Sequence, residues 1–283
     1  MIPPDWKAPK ARPIIYSYLV DWIIVIIMAA VWFAIDHVEP YHREFSLTNT
    51  DLMYTYSPRD SVPVWLLAII CFVIPVVIIT FVAVFQYKSA LDLNHGLLGL
   101  CLSLTICAMI TDVTKPRPDL LDRCQPAVGA HDPPMGLSNY TICTVGSDTS
   151  IMIDGFKSFP SGHTSFAFAG LTYFSLYLAG KFNLFDQKGE GRTLKIFLFW
   201  IPILGALLIG ISRFRDYRHH WGDVLIGGII GLICAFFAYR QYYPPLYEGG
   251  SPYNSRIIRH NQNFQLDEES QRHPSYRDDD NGK

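Results

Sequence analysis

Long apolar runs separated by shorter polar stretches dominate the chain between residues 18 and 245. A helix that crosses a lipid bilayer needs about 20 consecutive, mainly apolar residues. Segments that reach or approach this length are residues 18–35, 63–87, 93–113, 164–180, 196–211 and 221–239. The pattern predicts an all-α integral membrane protein, in which residues 18–245 form one bundle of six transmembrane helices.

The two ends of the chain are polar. Residues 1–17 precede the first predicted span, and residues 246–283 show no apolar periodicity, which predicts a disordered tail. Charged residues make up 17% of the chain, whereas soluble domains carry about 25%. We therefore expect the bilayer to be a partner and expect no binding to nucleic acid.

Basic residues mark one side of the predicted bundle. They precede the first span, follow the second, separate the fourth from the fifth and follow the sixth: Lys7, Lys10, Arg12, Lys88, Lys181, Lys188, Arg192, Lys195 and Arg240. Because basic loops stay in the cytosol, both termini are predicted to be cytosolic. The loops 114–165 and 212–223 then share the non-cytosolic face. The pattern is compatible with an endomembrane (vacuole or Golgi) or the plasma membrane, and it leaves the oligomeric state open.

The longer non-cytosolic loop contains two cysteines and a glycosylation sequon. Non-cytosolic compartments of the secretory route are oxidising, so Cys124 and Cys143 are predicted to form a disulfide. The sequon Asn139-Tyr140-Thr141 makes Asn139 a candidate glycosylation site.

Charged and polar residues cluster in three stretches on this face: TKPRPDLLDRCQP (114–126), SFPSGHTS (158–165) and SRFRDYRHHWGD (212–223). Each stretch alone has a structural interpretation: Arg117 as an interfacial anchor, PSGH as a turn into a helix, His219 as a surface residue. Their common position at the ends of the third to sixth spans favours one shared site.

The second stretch has the features of a phosphate cradle. Ser161, Gly162 and His163 lie where the fourth span begins, so their backbone N–H groups and the positive end of the helix dipole face the loop side. Gly162 leaves room for an anion, and Ser161 either caps the helix or donates to a phosphate oxygen. Arg117 and Arg213 add forked donors that suit phosphate oxygens.

The third stretch supplies a nucleophile. If the sixth span begins near His219, then His219 and Asp223 share one helix face, where the carboxylate orients the imidazole. Attack by His219 on phosphorus forms a phosphohistidine, and His163 protonates the departing oxygen. His220 lies off that face and is predicted to be an interface residue.

A metal or organic cofactor is not expected. Two-metal phosphatases gather several carboxylates, whereas this face offers Asp223 alone in a suitable position. Asp119 and Asp122 are interpreted as cap or salt-bridge residues of the loop, with a metal pair as the alternative.

These motifs resemble the type 2 phosphatidic acid phosphatase, or lipid phosphate phosphatase, superfamily. Its signature is Lys-x6-Arg-Pro, Pro-Ser-Gly-His and Ser-Arg-x5-His-x3-Asp, and the second and third parts are complete at 160–163 and 212–223. RPDLLDRCQP with DYRHH looks most like fungal diacylglycerol pyrophosphate phosphatases. The resemblance implies a six-span bundle and a metal-independent hydrolase of diacylglycerol pyrophosphate, phosphatidic acid or lysophosphatidate. It assigns catalysis to His219, His163 and Asp223, and phosphate binding to Arg117, Ser161, Gly162 and Arg213.

The first part of the signature is incomplete. Ile110 occupies the register of the expected Lys, and the stretch before Arg117 is shortened. Either Lys115 takes over the phosphate contact, although Pro116 disfavours helical geometry there, or a short stretch is missing from the sequence. A catalytically silent lipid-binding protein of the same fold is therefore an alternative, as is a phosphotransferase or, less compatible with the spans, a haloperoxidase.

Overall fold

The computed structural model describes residues 12–38, 40–111, 117–185 and 193–248, with side chains from Tyr16 onward. Its helices are α1 (Arg12–Asp36), α2 (Val64–Gln86), α3 (Ala90–Ile110), α4 (Leu120–Cys124), α5 (Ser150–Gly155), α6 (Gly162–Lys181), α7 (Thr193–Arg215) and α8 (Trp221–Tyr242). No strand forms within these ranges; two isolated bridges, Phe45 with Ser138 and Pro126 with Cys143, occur in the loops. The part of the chain that is described is therefore all-helical, as predicted.

Five of the long helices in the described ranges, α1, α2, α3, α7 and α8, are long and apolar enough to cross a membrane. The remaining long helix, α6, has 20 residues but is not among these candidates. Glycine, serine, threonine and tyrosine occur along α6, and most of its side chains are buried against other helices. A helix surrounded by protein does not need the apolar surface of a helix that faces lipid.

Helix α6 lies at the centre of the bundle, packed against α3, α7 and α8. Small residues allow the closest approach between α6 and α8. A Cβ atom built on Gly231 would lie 2.4 Å from the carbonyl oxygen of Ser165 and 2.6 Å from Cβ of Phe168. Only glycine fits at such a distance, as expected for helices that meet through small residues.

The substitution Gly231→Ala is expected to destabilise the protein by about 1–3 kcal/mol, because the added methyl group forces the two backbones apart. The measurement is the thermal unfolding temperature in detergent. Gly205→Ala is the matched control, since the nearest atom to its added Cβ is Cδ1 of Leu171 at the ordinary contact distance of 3.6 Å. Equal unfolding temperatures for the two variants would contradict the close packing of α6 and α8.

Polar loops form a cap over the end of the bundle where α1 and α3 end and α2 and α6 begin. The cap, residues 40–63 and 117–161, has its own small core of buried side chains: Phe45, Leu52, Leu120, Cys124, Met152 and Phe156. The disulfide between Cys124 and Cys143, which the sequence predicts, is present and ties α4 to the following loop. This core and the disulfide therefore hold the cap together above the bundle.

Replacing both Cys124 and Cys143 with serine is expected to lower stability by about 3 kcal/mol, because a cross-link over 19 residues restricts the unfolded chain. The loss should appear as a lower unfolding temperature, and reductant should produce the same change in the unsubstituted protein. An unfolding temperature insensitive to both would mean that the bond does not stabilise the cap.

A buried polar cluster closes the opposite end of the bundle. Nζ of Lys181 at the end of α6 lies 2.6 Å from Oδ1 of Asp92 in α3. The hydroxyl of Tyr177 donates to the same carboxylate at 3.1 Å, and that of Tyr243 donates at 2.8 Å. Because a buried carboxylate and ammonium are costly unless they are paired and hydrogen-bonded, this cluster fixes how α3, α6 and the end of α8 meet.

Candidate active site

The start of α6 presents backbone donors toward the cap. Ser161 is the N-cap residue, and α6 begins at Gly162, two residues before the predicted start of the span. A Cβ atom at Gly162 would meet nothing within 4 Å, so open space borders this helix turn. The N–H groups of the first helical turn have no partner within the helix. The start of α6 therefore has backbone donors beside open space, which are the two features on which the predicted anion cradle depends.

His219 lies in the short loop between α7 and α8. Its side chain is buried, with 4% exposure, and Nδ1 lies 2.6 Å from the carbonyl oxygen of Ser158. A carbonyl oxygen only accepts hydrogen bonds, so Nδ1 carries a proton and donates it. In the neutral ring, Nε2 then keeps its lone pair. The cap, through the Ser158 backbone, sets the tautomer that a nucleophilic histidine requires.

The predicted helical pairing of His219 with Asp223 is wrong in its geometry. Helix α8 begins at Trp221, with His220 as its N-cap, so His219 lies before the helix and does not share a helix face with Asp223. The oxygen Oδ2 of Asp223 accepts from Oγ of Ser158 at 2.6 Å and from the backbone N–H of His220 at 3.0 Å. Asp223 is thus linked to His219 through Ser158, because one residue contacts both.

The structure also corrects the prediction for His220. It is not simply an interface residue, because Nδ1 of its ring lies 3.1 Å from Oδ2 of Asp223, in a reciprocal capping arrangement at the start of α8. This arrangement uses the side chain of His220 to position the buried carboxylate. The adjacent histidines therefore have different structural tasks.

The electrostatic environment keeps His219 neutral. Burial lowers the pKa of His219 well below its usual value, and the positive charge of Arg117 lowers it further. The bond to Ser158 and the charge of Asp223 oppose this change. A neutral imidazole has the lone pair that attack on phosphorus requires.

His163, in the first turn of α6, has its Nε2 atom buried without a hydrogen-bond partner among the described residues. Burial lowers the pKa of His163 to about 4, and the charges of Arg213 and Arg117 act in the same direction. Asp60 and the Val62 carbonyl raise it in part. A bound anion would raise this pKa, because negative charge favours the imidazolium. His163 and His219 are close enough to interact electrostatically.

The two predicted arginines are both held by carboxylates. Arg117 donates from Nε to the Lys157 carbonyl at 3.1 Å, and its Nη2 lies 2.8 Å from Oδ1 of Asp154. Burial lowers the pKa of Arg117 to about 10, so it remains charged at neutral pH. Arg213 is buried at the end of α7, with Nη2 lying 3.2 Å from Oδ2 of Asp216.

Several charged residues near the site were missed by the sequence analysis. Arg218 and Arg123 are both buried and both contact Oδ2 of Asp154, at 3.3 Å and 3.0 Å. The only sequence signal for Arg218 was its position next to His219, and no sequence pattern indicated a role for Asp154. Three arginines, including Arg117, thus surround one carboxylate beside the loop that carries His219.

The remaining predicted residues have the following positions. Asp119 pairs with Arg123 at 2.9 Å, and Asp122 accepts from the backbone N–H of Tyr56 at 2.7 Å, in agreement with structural roles in the loop. Asn139 is exposed. Lys115 lies outside the described residues, and its contact with phosphate stays a prediction.

Backbone contacts join the two stretches that carry the histidines. The N–H of Ser161 donates to the carbonyl of Asp223 at 3.1 Å, and the Gly227 Cα lies so close to α6 that an added Cβ would be 2.8 Å from the Ser161 carbonyl oxygen. The starts of α6 and α8 therefore form one unit. Two imidazoles, a helix N-terminus and arginines at one place provide the groups needed for phosphoryl transfer.

An all-helical bundle with five membrane-compatible helices and this polar site at one end defines an integral membrane protein with the groups of a phosphate-handling enzyme. Comparison with known families agrees: the model of the PAP2 superfamily matches residues 95–245. The chain belongs to the PAP2 superfamily.

Individual relatives are similar over most of their length. Lipid phosphate phosphatase 2 of Arabidopsis thaliana is 40% identical over 235 residues, which cover 81% of this chain and 78% of the relative. A probable diacylglycerol pyrophosphate phosphatase 1 of Schizosaccharomyces pombe is 35% identical, covering 80% and 81%. Diacylglycerol pyrophosphate phosphatase 1 of Saccharomyces cerevisiae is 32% identical, covering 81% and 80%. No solved structure matches the chain. The protein is thus a phosphatase of the lipid phosphate class, as the motifs predict.

Proposed function

We propose that this protein removes the terminal phosphate of diacylglycerol pyrophosphate and phosphatidic acid, without a metal, through a phosphohistidine on His219. Lysophosphatidate is a further substrate of the same chemistry. Support comes from the residues assembled at the starts of α6 and α8 and from relatives named for lipid phosphates and for diacylglycerol pyrophosphate.

The observation that carries the mechanism is the commitment of Nδ1 of His219 to the Ser158 carbonyl. In the first step, the lone pair on Nε2 attacks phosphorus and the bond from phosphorus to the leaving oxygen breaks. His163 gives that oxygen a proton. The positive charge that develops on the His219 ring is stabilised by the Ser158 carbonyl and by the nearby charge of Asp223.

The second step hydrolyses the phosphohistidine. His163, now neutral, accepts a proton from water as the water oxygen attacks phosphorus. The bond between phosphorus and Nε2 breaks, its electron pair returns to His219, and inorganic phosphate leaves. Arg117, Arg213, Ser161 and Gly162 bind the phosphoryl oxygens in both steps, because positive charge and backbone donors stabilise the charge of the transition state.

We also propose the membrane arrangement. Six crossings, with α6 as the buried one, place both termini in the cytosol and the cap on the non-cytosolic face, where the Cys124–Cys143 disulfide is stable. Asn139 then lies on the face where glycans are attached. The lipid tails stay in the bilayer while the headgroup enters the site beneath the cap.

The experiment is phosphate release from phosphatidic acid and diacylglycerol pyrophosphate in detergent micelles containing a chelator. We expect release at the same rate with chelator and with added Mg²⁺. A requirement for a divalent ion would contradict the metal-independent mechanism. A folded chain that binds lipid phosphate without releasing phosphate would instead support the silent-protein alternative, and transfer of phosphate to an added alcohol would reveal phosphotransferase activity.

A further inference from the structure

A loop segment outside the three motifs contacts the candidate active site. This segment, residues 54–62, immediately precedes α2 and is termed the pre-α2 segment. The ring of Tyr54 stacks on the ring of Tyr217 with centroids 4.7 Å apart, and the backbone N–H of Ser61 donates to Oδ2 of Asp216 at 2.7 Å. The segment is therefore attached to the loop that carries His219.

Asp60 of the pre-α2 segment lies between two arginines. Its Oδ1 atom is 2.9 Å from Nε of Arg218 and 3.4 Å from Nη1 of Arg213. Although the side chain is 29% exposed, this oxygen atom is buried. Both contacts are ion pairs, which favour the orientations of the two guanidiniums that keep their positive charge beside the carboxylate. Asp60 thus favours one orientation of the Arg213 side chain.

The same segment contacts His163. The charged and titratable groups that act on the His163 ring are Arg213 from α7, Arg117 from the cap, His219 from the loop before α8, and Asp60. The carbonyl of Val62, two residues after Asp60, also interacts with this ring. Asp60 supplies negative charge on the side of His163, where the leaving group must be protonated.

We propose that Asp60 is a positioning residue for the phosphatase reaction, which holds Arg213 toward the phosphate and provides the counter-charge beside His163. The proposal rests on the function proposed above and adds a residue from outside the three motifs. The opposite role would be competition, in which Asp60 occupies Arg213 before substrate binds and competes with the substrate phosphate. The two roles predict opposite changes in anion binding, so one set of variants separates them.

The test variant is Asp60→Asn, which removes the charge and keeps the shape. We expect kcat/KM for phosphatidate to fall about 10- to 100-fold, because Arg213 loses its fixed direction. The pH profile should also move. The reaction needs protonated His163, so kcat/KM falls as pH rises through the pKa of His163; without the charge of Asp60 that pKa is lower, and the fall begins at lower pH.

Asp51→Asn is the matched control, because Asp51 is an exposed carboxylate in the same loop for which the described residues provide no ion pair. It should leave kcat/KM and the pH profile unchanged. Asp60→Glu, which retains the charge, should keep the pH profile of the unsubstituted protein even if its kcat is lower. Thermal unfolding of each variant verifies that it is folded.

Binding of orthovanadate, a phosphate analogue, provides a readout that does not require turnover. Positioning of Arg213 by Asp60 predicts weaker orthovanadate binding in Asp60→Asn. Tighter binding would overturn the proposal in favour of competition, and an unchanged pH profile with kcat/KM within about twofold would overturn it outright. If the unsubstituted protein released no lipid phosphate but bound orthovanadate, the proposed function would fail while the binding comparison still decided the role of Asp60. Absence of both would overturn both.

Discussion

The His219→Ala protein is expected to release phosphate from phosphatidic acid and diacylglycerol pyrophosphate at a rate lower by roughly 10³-fold or more. Alanine removes the Nε2 lone pair that forms the bond to phosphorus, and no other group of the site replaces it. Release of inorganic phosphate in chelator is the measurement. Both substrates should be affected alike, because the nucleophile is the same for both.

Two further histidine variants control this prediction. His131→Ala removes an exposed histidine of the cap and should be as active as the unsubstituted protein. His220→Ala removes the ring that contacts Asp223 and should cause a smaller loss than His219→Ala, because the backbone N–H of residue 220 still donates to the carboxylate. A larger loss in His220→Ala than in His219→Ala would mean that the nucleophile has been assigned to the wrong histidine.

The His163→Ala protein is expected to lose phosphatidate hydrolysis more severely than diacylglycerol pyrophosphate hydrolysis. In phosphatidate hydrolysis the leaving group is the alkoxide of diacylglycerol, which is strongly basic and needs a proton from His163. In diacylglycerol pyrophosphate hydrolysis the leaving group is a phosphate oxygen of phosphatidate, whose conjugate acid has a pKa of about 6. We therefore expect kcat for phosphatidate to fall about 10²- to 10⁴-fold, the usual contribution of a general acid, and kcat for the pyrophosphate to fall markedly less.

Parallel kinetics on the two lipids, with the same preparation of protein, make this comparison independent of the folded fraction. Losses of equal size for both substrates would contradict the assignment of His163 as the general acid for the leaving oxygen. In that case the buried Nε2 of His163 would act chiefly as a phosphate ligand.

The helical bundle could be predicted largely from the sequence because apolar length is a direct requirement of the bilayer. The predicted fourth span, 164–180, corresponds to α6, which runs from Gly162 to Lys181. Its central position in the bundle could not be predicted, since apolar content alone does not distinguish a lipid-facing helix from a buried one. The ion pair between Asp92 and Lys181 was likewise beyond the sequence pattern, because 89 residues separate its partners.

The sequence indicated which residues belong to the candidate site, but it indicated few of the contacts between them. Helix dipoles and residue chemistry indicated His163, His219 and Arg213 without reference to distant parts of the chain. The contact between Nδ1 of His219 and Ser158 depends on a backbone carbonyl, which every residue has and which therefore leaves no sequence signal. The prediction that His219 and Asp223 share one helix face is wrong because α8 begins only at Trp221.

Asp60 and Asp154 illustrate the same difficulty. Asp60 lies in a loop and Asp154 in the short cap helix α5, and each is far along the chain from at least one of the arginines it contacts. The path of the chain through the cap cannot be derived from a period of 3.6 residues. The cap, with its own core and disulfide, brings these carboxylates to the arginines of the candidate site. Prediction from local pattern is therefore strongest for the bundle and weakest for the cap.

The most direct measurement of the central claim is rapid quenching of the protein during turnover of diacylglycerol pyrophosphate, followed by mass spectrometry of its peptides. We predict a phosphorylated histidine at position 219 that forms and decays at rates consistent with phosphate release, and none in His219→Ala. Phosphate found on another residue, or undiminished turnover in His219→Ala, would contradict the account.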